Sequence, residues 1–214
     1  MTYHVAGIDL SLTNTGVAVL RGDQLGDRPA VHNVLSSPIK TGQRDGKGFS
    51  SLLDRRNRIQ QIVARVAAHA LAGYNPDEDD APLFVIEAPF YGAGTASASL
   101  TDRAWLFGLT CHVLFKNGLI VEVATTTMKK YATGSGATPS GAKSSKSAVL
   151  LAIPRMFPQV VVTDDNAADA LALAAMGARA LGHPREPSPQ RVHPAALASV
   201  EWPSNTARRN HDAQ

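Results

Sequence analysis

Residues 5–20 read VAGIDLSLTNTGVAVL, in which an apolar run ends on Asp9, passes through a polar turn and is followed by a second apolar run. Two such runs separated by Ser, Thr, Asn and Gly predict a pair of antiparallel strands joined by a tight turn. We predict these strands over residues 5–8 and 16–20, with Gly16 in the positive-φ region. The carboxylate of Asp9 is then expected at the end of the first strand.

The composition is typical of one globular domain of ordinary size. The chain has 214 residues, of which 44% are hydrophobic, and this allows a sizeable core. No apolar run approaches the roughly 18 residues of a membrane span, and the first residues do not have the pattern of a secretory signal. The one cysteine, Cys111, excludes an internal disulfide and predicts a small core residue in a reducing, cytosolic setting.

Positive charge is concentrated in two segments, although the formal net charge is only +3. Residues 124–158 contain five basic residues and no acidic one, and residues 40–65 contain seven basic residues and two acidic ones. Such segments favour a polyanionic partner. Solvated helix faces would explain the same charges equally well.

Hydrophobic periodicity predicts alternating strands and helices after the opening hairpin. Helices are expected over residues 51–72, 99–115, 125–132, 144–153 and about 163–182, and further strands over residues 30–35, 83–86 and 119–123. Residues 36–51 are rich in Gly, Ser and charge and predict an exposed, mobile loop. This order indicates an α/β layered domain with a mixed sheet over residues 1–182. The Pro-rich polar sequence of residues 183–214 predicts a disordered tail.

Four carboxylates fall where apolar elements end or begin. Asp9 and Glu87 end two predicted strands, whereas Asp165 and Asp169 begin the last helix, where a spacing of four places them about 40° apart around its axis. Like charges gathered at the rim of a core must neutralise or bind a cation. Oxygen ligands without Cys or His indicate Mg²⁺ or Mn²⁺, and two such ions clamp a phosphodiester for in-line attack.

Each of these carboxylates also has a purely structural explanation. Asp165, with its neighbours Asp164 and Asn166, is suited to cap the helix and to favour its dipole. Asp9 could form an Asx-turn, and Glu87 could begin an ordinary turn. Asp169 is harder to explain in this way, because the sequence ADALALA places it against the apolar side of the helix. Taken together, the four positions favour a metal site.

With these residues assembled, the chain resembles the RuvC-like Holliday junction resolvases, particularly the phage-type members, of the RNase H-like superfamily. GIDLSLTNTG is similar to the family's first motif, with its metal-binding Asp at Asp9, and FVIEAPF to the second, with the catalytic Glu at Glu87. DDNAADALALA is similar to the last acidic motif and ends on Asp169. The resemblance covers residues 5–180 and implies an RNase H-like fold, a mixed sheet of about five strands with helices on both faces.

The resemblance also implies residues that contact DNA. TTTMKKYATGSGA, with the lysines that follow it, is similar to the family's lysine and glycine segment beside the active site. Lys129 is therefore expected to be a catalytic-region or phosphate lysine, and Phe90 matches an aromatic that stacks on bases at the junction. The lysines expected to hold phosphates are Lys129, Lys130, Lys143 and Lys146.

The last acidic motif departs from the family at one position. In bacterial members an Asp or His often lies three residues before the last Asp, where this sequence has Asn166. Asp165 is therefore expected to supply the fourth ligand, with Asp9, Glu87 and Asp169. Together they are expected to hold two Mg²⁺ ions, for which Mn²⁺ can substitute.

The activity that the resemblance implies is resolution of four-way DNA junctions by paired symmetric nicks that leave 5′ phosphates. Cutting two opposed DNA strands requires two active sites and hence a two-fold homodimer. The resemblance places the contact between the two subunits on the helix over residues 99–115. The implied location is the cytoplasm of a bacterial or phage-infected cell.

Three alternatives remain open at this point. A nuclease of the same fold could cut flaps, other branched DNA or RNA, and an inactive relative could only bind junctions. Sugar kinases and actin-like ATPases share the opening motif, but they need a second phosphate loop and a second lobe.

Overall fold

A computed structural model describes residues 3–22, 29–44, 46–89, 97–135, 146–186 and 193–204. The strands are β1 (His4–Asp9), β2 (Asn14–Arg21), β3 (Ala30–Leu35), β4 (Gly42–Arg44), β5 (Lys47–Phe49), β6 (Leu83–Glu87) and β7 (Leu119–Val123). The helices are α1 (Leu52–Ala70), α2 (Ser97–Leu114), α3 (Thr125–Thr133), α4 (Lys146–Met156) and α5 (Asp165–Ala180), followed by a 3₁₀ helix, Pro194–Ser199. None of the helices in these ranges is both long and apolar enough to cross a membrane.

A mixed sheet of five strands lies at the centre of the fold, in the order β3-β2-β1-β6-β7. β1 pairs antiparallel with β2 and β2 with β3, whereas β6 runs parallel to β1 and β7 parallel to β6. An antiparallel meander therefore leads into parallel strands that are connected through helices. The predicted α/β fold with a mixed sheet is confirmed.

Helices cover both faces of the sheet, and strand alternation divides the apolar side chains between them. Val5 and Val85 belong to the core that includes α3, α4 and α5. Ile8 and Ile86 belong to the opposite core, which includes α1 and α2. Alternate residues of a strand point to opposite faces. Asp9 and Glu87, the last residues of β1 and β6, therefore lie on the same face of the sheet as Val5, Val85 and α5.

Helix α5 lies directly on the sheet because two glycines leave room for its backbone. A Cβ added to Gly7 would lie 2.0 Å from the carbonyl oxygen of Ala170, and one added to Gly16 would lie 2.0 Å from that of Asn166. Glycine within a strand commonly marks such close backbone approach. The predicted positive φ at Gly16 is wrong, since this residue lies within β2 and is not among the positive-φ glycines of the described chain.

The exposed segment before α1 contains the short β4–β5 hairpin, which the sequence analysis expected to be a loop. β5 has only three residues, all of them exposed, and so short a strand shows no apolar alternation in the sequence. The hairpin leads to a capping box, in which Ser51 and Asp54 satisfy each other's backbone N–H groups. Hydrogen bonds from Thr41 and Ser51 lower the pKa of the Asp54 carboxyl to about 2.

Cys111 is half-buried on α2 and packs against the core formed with α1. Burial, together with the nearby Glu122 carboxylate, raises the pKa of its thiol to about 11. A thiol with this pKa is protonated at neutral pH and is a poor nucleophile. Its place in the structure is that of a small packing residue.

Residues 193–204 pack against α3, contrary to the prediction of a disordered tail from residue 183. Ala196 is 2% exposed, and the backbone N–H of His193 donates to the carbonyl oxygen of Tyr131 at 3.0 Å. The indole of Trp202 donates to the carbonyl oxygen of Leu197 at 3.1 Å. These anchors have no periodic spacing and lie among prolines, so the sequence pattern did not mark them.

The segment before the 3₁₀ helix is also held to the domain. Glu186 is buried, and its carboxylate accepts a hydrogen bond from the Tyr131 hydroxyl and pairs with the Arg179 guanidinium at 2.8 Å. The ring of His183 stacks on that of Tyr3 at a centroid distance of 4.6 Å. The folded unit therefore includes residues beyond the predicted boundary at 182, and disorder remains a prediction only for the part of 183–214 outside the described ranges.

We expect Ala196→Asp to lower the melting temperature by about 6–10 °C, because it places a charge in the contact with α3, at a cost of roughly 3 kcal/mol. Ala198→Asp is the matched control, since Ala198 is an exposed alanine of the same 3₁₀ helix. Differential scanning calorimetry of both variants measures the difference. Equal melting temperatures would show that this segment does not contribute to the folded domain.

Candidate metal centre

Three carboxylates meet where β1, β6 and α5 come together. Ile8 pairs with Ile86 across the parallel strands, so the next residues, Asp9 and Glu87, leave adjacent strands at the same level. Asp169 extends from the second turn of α5, which lies on these strands. One oxygen of each carboxylate lies within 4.8 Å of the others. Sequence analysis predicted all three, and the fold brings them together.

This arrangement has the chemistry of a divalent metal site. Asp9 is 8% exposed, Asp169 is 4% exposed and Glu87 is half-buried. At an effective dielectric constant of about 20, two unit negative charges 4.8 Å apart repel each other by roughly 3.5 kcal/mol. A cation removes this repulsion, and a donor set made only of oxygens suits a hard divalent ion.

The carboxylates lie in a cleft of about 320 Å³ between α2 and α3. Arg103 and Phe107 line it from α2, and Thr125 and Lys129 line it from α3. The Thr125 hydroxyl donates a hydrogen bond to Oε1 of Glu87. Acidic residues on the floor and basic residues on two walls form a site that suits a phosphate group bound together with a cation.

Asp165 is not part of this group, and Asn166 takes its place in the lining of the cleft. Asp164 is the N-cap of α5 and accepts a hydrogen bond from the N–H of Ala167 at 3.0 Å. Nδ2 of Asn166 donates to the carbonyl oxygen of Asn14 at 2.7 Å, which ties this turn to β2. Positions three and four residues before Asp169 both lie near its face of the helix, so spacing alone could not choose between them.

The predicted DNA-contacting residues are only partly described. Lys129 lines the cleft, and Lys130 is exposed beside it on α3. Lys146 is the first residue of α4. Phe90 and Lys143 lie outside the described residues, so their predicted contacts with DNA remain predictions.

Arg103 and Thr125 are among the cleft residues that sequence reasoning missed. Arg103 lies within an amphipathic helical pattern, and its position there does not distinguish a cleft residue from any other exposed arginine. Thr125 could have been found, because it lies two residues after the end of β7, and β7 is the parallel neighbour of the strand that ends in Glu87. Residues at the carboxyl ends of adjacent parallel strands commonly share a site.

The sequence matches no protein-family model and no curated protein. The structure of the chain is similar to the solved structure of T. thermophilus RuvC in complex with a Holliday junction substrate, with a TM-score of 0.56 and 19% sequence identity. The match covers 85% of this chain and 97% of that chain. This likeness shows that the chain has the RNase H-like fold that RuvC has, and it confirms the predicted resemblance at the level of the fold.

Two further structures match at lower similarity. A second structure of Thermus thermophilus RuvC has a TM-score of 0.48 and 18% identity, covering 86% of this chain and 98% of that chain. The yeast mitochondrial Holliday junction resolvase Ydc2 has a TM-score of 0.44 and 12% identity, covering 80% of this chain and 76% of that chain.

We expect Asp169→Asn to weaken Mn²⁺ binding by more than about 10-fold, because the affinity of such a site depends on its number of charged ligands. Asp165→Asn, in the first turn of the same helix, should change the dissociation constant by less than about twofold, because Asp165 lies outside the carboxylate group. Isothermal titration without nucleic acid measures both. Equal losses in the two variants would make Asp165 a ligand after all.

Proposed function

We propose that this protein is a metal-dependent endonuclease that resolves four-way DNA junctions by paired symmetric nicks that leave 5′ phosphates. The observation that carries the proposal is the convergence of Asp9, Glu87 and Asp169 in a cleft walled by basic side chains. Support comes from the fold, which is like that of a RuvC solved with a Holliday junction substrate.

We assign Asp9, Glu87 and Asp169 as ligands of two Mg²⁺ ions, for which Mn²⁺ can substitute. Asn166, which lines the cleft, is the fourth oxygen donor in this assignment, in place of Asp165. Its Nδ2 is bonded to Asn14, so Oδ1 is the atom that it can offer to a cation. Bound divalent ions activate water for attack and stabilise the leaving oxygen of a phosphodiester.

The basic residues of the cleft hold the DNA backbone. Lys129 on α3 and Arg103 on α2 line the cleft from its two helical walls. The phosphates of a strand that enters the cleft therefore lie between these two basic side chains. From the sequence resemblance we also assign phosphate contacts to Lys130, Lys143 and Lys146, and stacking on an unpaired base at the crossover to Phe90. Because these lysine and arginine contacts displace counterions, binding weakens as the salt concentration rises.

The outer face of α2 supports a homodimer. Its exposed positions Thr101, Ala104, Gly108 and His112 form a stripe along the helix that contains no Asp, Glu, Lys or Arg. A Cβ added to Gly108 would meet no atom within 4 Å, so packing within the described chain does not require glycine there. Glycine inside a helix costs about 1 kcal/mol relative to alanine, and close approach of a second α2 would account for it. Two such copies provide the two sites that symmetric nicking needs.

The described residues do not support the kinase or ATPase alternative. They form one unit around a single five-stranded sheet and the β4–β5 hairpin, with no second lobe among them. The remaining alternatives differ from our proposal only in substrate or in catalytic competence. We place the reaction in the cytoplasm of a bacterial or phage-infected cell, as the sequence resemblance implies.

We expect the unmodified protein to nick a synthetic four-way junction at symmetric positions in Mg²⁺, with little cleavage of linear duplex, a flap or an RNA–DNA hybrid. Asp9→Asn should lower the single-turnover rate by at least about 10³-fold, because it removes a metal ligand. Asp165→Asn should stay close to the unmodified rate. Sequencing gels of end-labelled strands give both the rates and the cut positions.

Two results would contradict the assignment in different ways. Faster cleavage of the flap or the hybrid would identify another nuclease of the same fold. Tight junction binding without cleavage, in both Mg²⁺ and Mn²⁺, would identify a junction-binding protein.

Gly108→Arg is expected to convert a dimer into a monomer, because it places a large charged side chain in the proposed contact between two α2 helices. The monomer should still bind Mn²⁺ but should lose the pairing of its nicks. Gly48→Arg is the matched control, since Gly48 lies on the exposed hairpin strand β5. Sedimentation velocity gives the assembly state of each variant. An unchanged dimer in Gly108→Arg would place the interface elsewhere.

A further inference from the structure

Of the three carboxylates, Glu87 is the least fixed by packing. Asp9 and Asp169 are buried, whereas Glu87 is half-buried at the rim of the cleft. Its side chain also has one more rotatable bond than an aspartate, so holding it in a single geometry costs more conformational entropy. A metal centre that uses Glu87 therefore needs another group to hold this carboxylate in place.

We infer that Thr125 is the positioning residue that holds Glu87 for metal binding, a role that rests on the metal centre proposed above. The Thr125 hydroxyl donates to Oε1 of Glu87. A carboxylate that accepts one such bond keeps lone pairs for a cation, while its rotation is restricted. Hydrogen bonds of this kind to ligand carboxylates orient the ligands of metal sites, and losing one typically costs 10–100-fold in metal affinity.

The fold fixes the position of the Thr125 hydroxyl. Glu87 pairs with Val123 across β6 and β7, and the N–H of Ala88 donates to the carbonyl oxygen of Val123 at 2.8 Å. Thr125 begins α3 two residues later, after Ala124, an N-cap residue that makes no side-chain hydrogen bond. A β-branched side chain has few χ1 rotamers, so a threonine here presents its hydroxyl in a defined direction.

Helix α3 therefore contributes twice to the cleft. Lys129 follows Thr125 by four residues, which places both side chains on one face of the helix, and both line the cleft. The C-terminal end of α3 is held by His193, whose N–H donates to the carbonyl oxygen of Tyr131 at 3.0 Å. The bond from Thr125 to Glu87 anchors the opposite end of the helix to the carboxylate group.

The test is Mn²⁺ affinity without DNA, measured by electron paramagnetic resonance on the full-length chain. Thr125→Val keeps the shape of the side chain but removes the donor, and we expect it to raise the dissociation constant by about 10-fold or more. Thr125→Ser keeps the hydroxyl and should stay within about threefold of the unmodified protein. Thr126→Val is the matched control, because Thr126 is exposed and does not line the cleft.

Melting temperatures measured beside the affinities separate positioning from misfolding. A Thr125→Val variant that melts like Thr126→Val but binds Mn²⁺ more weakly, with recovery in Thr125→Ser, supports the role. Equal Mn²⁺ affinities in Thr125→Val and Thr126→Val overturn it, as does an unmodified protein that binds no Mn²⁺. Normal Mn²⁺ binding without junction cleavage contradicts the proposed nuclease and leaves the role of Thr125 intact.

Discussion

The contact between the backbone of α5 and the glycines of β1 and β2 is the constraint on which the rest of the site depends. Gly7 and Gly16 let the helix lie on the sheet without intervening side chains. At this separation a carboxylate as short as that of Asp169 reaches the ends of β1 and β6. Larger residues at either glycine would lift the helix and spread the three oxygens, since packed cores rarely absorb such a change.

Sequence patterns were sufficient for the parts of the fold that depend on apolar periodicity. Strand alternation and helical spacing predicted the sheet and its helices, and the ends of these elements pointed to Asp9, Glu87 and Asp169. The patterns failed where a position is set by tertiary contact. Gly16 is needed for the approach of a helix more than 100 residues away rather than for a turn, and no local spacing shows that.

The same limit explains the remaining differences at the site. Asp165 and Asn166 lie at similar angles from Asp169 around the axis of α5, about 40° and 60° away on opposite sides. Asn166 is the one that lines the cleft, and it is tied to Asn14 on β2. Residues 193–204 include two prolines and show no periodic apolar spacing, yet their contact with Tyr131 holds the helix that carries Lys129. In each case a long-range contact decides, and a single sequence does not encode such contacts in its local pattern.

The three carboxylates come from widely separated parts of the chain, at residues 9, 87 and 169, and this has a consequence during synthesis. A nascent chain in which β1 and β6 have already been synthesised lacks the third carboxylate until α5 has emerged. Since α5 also supplies much of the core against the sheet, closure of the fold and completion of the site are the same late event. Chains truncated or stalled before α5 therefore lack the complete carboxylate group.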